Sequence, residues 1–141
     1  MKNRYFLYVL FLYISFFNIN FVTANELEFN VSEIIISDNG NIMEAKKGTA
    51  TSLIDGINID ADTFFYNKSA STLTALGDVK ITIIKNDFLI ETQSIIYNTY
   101  KKEISSQDNT LINDAHGNLA EAQAFFLNLN DDIIKLKKMK M

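Results

Sequence analysis

The chain has no cysteine, no proline and a single histidine, and each scarcity removes a class of explanation. Without cysteine there is no disulfide framework, no thiolate metal site and no thiol nucleophile. Stability must then come from core burial and strand pairing alone. Residues 25–141 hold no proline, no linker and no low-complexity run, so they read as one domain. The lone His116 sits beside Gly117 in a turn sequence, without the cysteine or second histidine that a zinc site or a nucleophilic triad would want. Positive charge is scarce as well. Lys2 and Arg4 are the only charged residues among the first 24, which leaves 11 basic against 17 acidic residues and a net charge of −6. That balance argues against a nucleic-acid partner, which wants a basic stripe. It argues equally against simple adsorption to an anionic membrane.

The amino terminus has its own logic. A short positive start leads into the apolar run Tyr5 to Phe17, and Val22-Thr23-Ala24 supplies a small-residue cleavage pattern. This reads as a signal peptide over residues 1–24, followed by a domain over 25–141. The apolar run of 13 residues falls short of the ~20 needed to span a bilayer. The competing reading is an uncleaved anchor from Tyr5 to Ala24.

What the rest of the chain has in abundance is repetition. Ile59-Asp60-Ala61-Asp62-Thr63-Phe64-Phe65-Tyr66-Asn67 is echoed by Ile90-Glu91-Thr92-Gln93-Ser94-Ile95-Ile96-Tyr97-Asn98. It returns more weakly as Ala120-Glu121-Ala122-Gln123-Ala124-Phe125-Phe126-Leu127-Asn128. The period is 31 residues from Tyr66 to Tyr97 and 30 from Tyr97 to Leu127. A period of this size carried by β-type segments predicts stacked strand pairs with a continuous surface or groove.

Turn residues punctuate the repeat at Asp38-Asn39-Gly40-Asn41, Asp55-Gly56, Asn67-Lys68-Ser69, Lys85-Asn86-Asp87, Gln107-Asp108-Asn109 and His116-Gly117-Asn118. Between them lie runs rich in Ile, Val, Thr, Phe and Tyr, which suit a pleated surface. The clearest is Leu73 to Ile83, with Leu73, Ala75, Gly77, Val79, Ile81 and Ile83 on one face and polar residues on the other. Gly77 in its middle suggests a bulge. Around Phe64-Phe65-Tyr66 and Ile95-Ile96-Tyr97 the alternation breaks, which reads as strands turning a corner with both faces partly covered. Ala120, Ala122 and Ala124 raise helix propensity near Gly117 to Leu129, but the repeat argues for strand there too.

The run Ile57 to Asn67 followed by Leu73-Thr74-Ala75-Leu76-Gly77-Asp78-Val79-Lys80-Ile81 resembles the repeat of the OstA-like family, the organic-solvent-tolerance or lipopolysaccharide-transport domain. Gly40 to Ala50 resembles that family's opening turn and strand. The likeness extends over residues 29–135 and weakens after 110. It implies an all-β, repeat-built antiparallel β-jellyroll, open at both ends, in the periplasm of a Gram-negative envelope. It implies lipopolysaccharide as the cargo, no cofactor, and other jellyrolls of the family as partners through end-to-end strand addition, copies of this chain included. The family occurs as a soluble bridge protein, as the N-terminal domain of the outer-membrane assembly protein and as an anchored inner-membrane component. Of these the bridge role fits first and a shortened assembly-protein domain second.

By this resemblance Ile59, Ala61, Leu73, Ala75, Val79, Ile81, Ile83, Ile90 and Ile96 would line a trough for acyl chains. By their alternation alone they are core-filling residues. A structural or adhesive β-repeat protein with a filled core and no lipid is thus the rival from another class. The carboxylates Asp60, Asp62, Asp78 and Glu91 recur at repeat positions and read as solvated strand residues rather than a catalytic pair. Tyr66 and Tyr97 read as corner packing. Lys135, Lys137, Lys138 and Lys140 read as a charged terminal strand. No enzyme is expected.

Overall fold

The structure, a computed structural model, describes residues 27–137. The proposed signal peptide, Lys138 and Lys140 lie outside them. Ten strands run antiparallel: β1 (Glu28–Ser37), β2 (Ile42–Ser52), β3 (Ile57–Asn67), β4 (Thr72–Ile83), β5 (Phe88–Asn98), β6 (Glu103–Ser106), β7 (Thr110–Asn113), β8 (Leu119–Ala122), β9 (Ala124–Asn128) and β10 (Ile133–Lys137). One 3₁₀ turn, Asp38–Gly40, joins β1 to β2. The alanines that raised helix propensity lie in β8 and β9, as the repeat required.

Sequence neighbours pair from β1 through β6. Beyond β5 the sheet looks forked: its second half pairs β6, then β9 and β10, while its first half pairs β7, then β8. The fork is only apparent. β6 and β7 are the halves of one strand broken at Gln107–Asn109, and β8 and β9 are the halves of another bent at Gln123. Every long strand is likewise bent at its middle, and the bends fall on one line across the sheet.

The inward-facing parity records the bend. Ile57, Ile59 and Ala61 are buried, then the parity shifts and Phe64 and Tyr66 are buried. Ile90 and Thr92 give way to Ile95 and Tyr97 in the same manner. Registers slip at the same places, between Asp60 and Thr63 and between Leu76 and Val79. Two glycines make the crease feasible. A Cβ on Gly48 would lie 2.1 Å from the backbone carbonyl oxygen of Asn30. Gly77 holds φ +80°, and a Cβ there would meet the Asp62 carboxylate at 2.7 Å.

Folding each strand at the crease produces two facing walls. One wall holds the residues from Ile57 to Ala61, Val79 to Ile83 and Phe88 to Thr92, with β7 and β8. The other holds Phe64 to Asn67, Thr72 to Ala75 and Ile95 to Asn98, with β6, β9 and β10. Their apolar faces merge into one core that includes Ile57, Ile59, Phe64, Leu73, Ile81, Ile90, Ile95 and Tyr97. Contacts across the chain prove the facing. Tyr97, near the end of β5, donates a hydrogen bond to Asp55 in the β2–β3 turn, 42 residues away. Were the sheet flat, these residues would stand at opposite ends of strands roughly 30 Å long. Among the described residues β1, β8 and β10 each have one strand neighbour, so the sheet is not closed.

Candidate functional site

The feature that a function can use is the apolar core between the walls, bounded by the crease on one side and a seam on the other. Eight of the nine expected inward residues face it: Ile59, Ala61, Leu73, Ala75, Val79, Ile81, Ile83 and Ile90 are all buried. Ile96 does not. It is 53% exposed on the outward face, in the cross-strand row Phe65, Thr74, Ile96, Ser105, Phe126. The crease at Gln93 shifts the parity by one, so Ile95 takes the inward place. The corner itself therefore lies before the Phe64-Phe65-Tyr66 and Ile95-Ile96-Tyr97 runs, and one face of each run stays open to solvent. Phe64, Ile95 and Phe125 are among the inward residues that alternation missed. They occupy one repeat position, two before Tyr66, Tyr97 and Leu127, and that equivalence was the available signal.

At the crease the lining turns polar and satisfies itself. Thr92 and Ser106 hydroxyls lie 3.0 Å apart, and Thr110 donates to Thr92 at 3.3 Å. On the outward side of the crease is a hollow of about 700 Å³ whose exposed walls include Asp78, Lys80, Glu91, Gln93, Glu121 and Gln123. The buried Val79, Thr92, Thr110 and Ala122 line it as well.

The seam is where the hairpin turns of the two walls meet. On one lip, the turns repeat the same hydrogen bonds at each period. Lys68 N–H donates to Asn41 O at 2.8 Å, Thr99 to Ser71 at 2.9 Å and Leu129 to Lys102 at 2.9 Å. The side chains of Asn67, Asn98 and Asn128 accept from the backbone N–H of Ala70, Lys101 and Asn130. This is why the repeat ends in Asn: its carboxamide closes each turn. On the other lip Ile84 N–H donates to Gly56 O at 2.9 Å.

Across the seam the bonds are side-chain bonds. Asp55, with a side chain only 1% exposed, pairs with Lys102 Nζ at 2.8 Å through Oδ1. Its Oδ2 accepts from Tyr97 Oη across the seam and from Ser52 Oγ within its own turn. Burial alone would raise the Asp55 pKa. The Lys102 ammonium and the Tyr97 and Ser52 hydroxyls outweigh burial and hold it below the ordinary carboxylate value. Burial and the Asp55 charge push the Tyr97 phenol far above its usual pKa, so it remains a donor. Further along, Lys85 meets Asp132 at 2.6 Å, both exposed. Tyr66 and Tyr97 are thus buried, and Tyr97 is also part of the clasp, a role the sequence pattern did not reveal.

The remaining candidates are scattered. Asp60 accepts from Thr49 at 2.5 Å, Glu91 pairs with Lys80 at 3.0 Å, and Asp62 and Asp78 are exposed near Gly77. Among the described residues no three acidic or histidine side chains cluster as a metal site would need. His116 is exposed, 4.0 Å from Asp114. Lys135 stacks over Phe126 at 6.0 Å.

No protein-family model matches the sequence, and no curated protein matches it either. A solved structure does. LptH of Pseudomonas aeruginosa, described as the LptA-homologous periplasmic component of the conserved lipopolysaccharide transport device, superposes with a TM-score of 0.69. The match covers 79% of this chain and 82% of that one, at 12% sequence identity. At that identity the likeness is one of backbone architecture. The chain has the fold of the LptA-like jellyroll.

Proposed function

We propose that this chain is a periplasmic carrier in lipopolysaccharide transport, taking acyl chains between its two walls and joining neighbouring jellyrolls end to end. The observation that carries the reading is the combination of that fold with a continuous apolar interior from Ile57 to Leu127. Burial of acyl methylenes against such a face is worth ~25 cal/mol per Å² and has no preferred direction, so a lipid can slide without specific bonds breaking. The single-neighbour edges β1 and β10 support association by strand addition. β1 carries Ile34, Ile35 and Ile36 exposed beside Glu28 and Glu33, while β10 carries Lys135 and Lys137. Between successive copies Glu28, and Glu33 together with its partner Lys46, would face those lysines. On this reading residues 1–24 are the secretion signal.

A specific observation favours a second reading. Ile59, Leu73, Ile81 and Ile90 have no exposed surface at all, as in a filled core without cargo. Photocrosslinking to lipopolysaccharide separates the two. A photoreactive residue in place of Ile81 should capture the lipid, and one in place of Lys80, its outward neighbour, should not. Silence at Ile81 in a folded protein would favour the structural β-repeat.

A further inference from the structure

The sealed core raises a question of access, because an acyl chain cannot slide into a space that its lining already fills. The walls are continuous at the crease, where four or more strands cross. At the seam only side chains join them. The turns bordering the seam are also unusual in composition. Turn tips are normally polar, yet Leu53 is 69% exposed, Tyr100 is 84% exposed, and Ile54 and Ile84 are exposed as well. Leu53 and Ile54 immediately precede Asp55, Ile84 is hydrogen-bonded to Gly56, and Tyr100 lies two residues before Lys102. All four therefore edge the clasp. Large apolar groups grouped in solvent at one place mark an interaction surface.

We propose that the seam is a side entrance for the acyl chains of a lipid, with Leu53, Ile54, Ile84 and Tyr100 as its sill and the Asp55–Tyr97–Lys102 clasp as its latch. This rests on the reading that the interior takes lipid. The occupant is an acyl chain because the four sill residues are apolar and the apolar core lies behind the latch, while the flanking charges Lys85, Lys101 and Asp132 stay in water at the rim. When the latch parts, Asp55 and Lys102 regain water and Tyr97 loses its acceptor. A chain laid along the sill replaces the contacts that the separated walls give up. The door then closes over the lipid or stays ajar while it moves.

The absence of cysteine makes a direct test available. Lys85 and Asp132 face each other across the seam and are exposed, so Lys85→Cys with Asp132→Cys places two thiols there without disturbing the core. A short bismaleimide with a reducible linker staples the seam, and a reductant releases it in the same sample. The probe is cis-parinaric acid, whose fluorescence rises in apolar surroundings. We expect stapled protein to take up the probe about tenfold more slowly, which corresponds to about 1.4 kcal/mol in the barrier, with the rate restored on reduction. Asp55→Asn, unstapled, should take it up several-fold faster. If stapled and released protein load at the same rate, loading runs through the open ends and the side entrance is overturned. If no form shows a fluorescence rise while circular dichroism reports an intact fold, the lipid reading itself fails.

Discussion

The two walls meet twice, at the crease and at the seam, and they are joined by different means. At the crease the connection is the backbone itself, bent in each strand and accommodated by Gly48 and Gly77. At the seam it is an ion pair, one hydroxyl donor and one exposed salt bridge. A backbone bend is either formed or the fold is lost. A side-chain clasp can open and close while every strand stays paired. The crease therefore sets the architecture, and the seam is the junction that can part without unpairing a strand.

Changes at the crease should have the largest effects. Gly48→Val would force a side chain into the Asn30 carbonyl, where backbone rather than a movable group stands in the way. We expect a loss above about 4 kcal/mol, the range of severe backbone and packing defects, measured as a collapse of the urea midpoint or failure to fold.

The clasp should give an intermediate effect with a pH signature. Asp55→Asn keeps the shape but removes the charge that Lys102 and Tyr97 address, and should cost about 1–3 kcal/mol. The Asp55 pKa is depressed in the folded state relative to its ordinary 3.8. Its stabilisation is thus complete above that value and fades as pH falls below it through the folded value. Denaturation curves of wild type and Asp55→Asn should run apart at pH 7 and converge below about pH 4. Parallel curves down to pH 2 would mean that the clasp contributes nothing through its charge.

The smallest effect belongs to the exposed pair. Lys85→Ala should change stability by less than about 1 kcal/mol, and the remainder should vanish in high salt. A larger loss would show that the seam is cooperative along its length.

The sequence shows much of this and for identifiable reasons. A 31-residue repeat and the alternation in Leu73–Ile83 depend on local chemistry, so the strands, most turns and eight inward residues could be read directly. Ile96 could not, because parity passes through a crease that no single residue announces. Gly77 flags it in β4, but in β5 the bend falls at Thr92-Gln93-Ser94, which contains no glycine. The turns at Thr99–Lys102 and Leu129–Asp132 lack strong turn dipeptides and depend on the preceding Asn side chain. The clasp was out of reach for a different reason. It joins positions 42 and 47 residues apart, and nothing in the local pattern marks Asp55 as different from any other turn aspartate.

The hydrogen bonds along the asparagine lip have a consequence for how such a protein can change size. Each period contributes one Asn-closed turn and one backbone bond to the turn before it, and the junction is chemically the same at Lys68, Thr99 and Leu129. A duplicated segment of 31 residues, such as 68–98 inserted after Asn98, meets the same donor and acceptor on both sides. Length in this architecture is a quantity that can be counted out in whole modules, and the folded sheet can be extended without redesigning its walls.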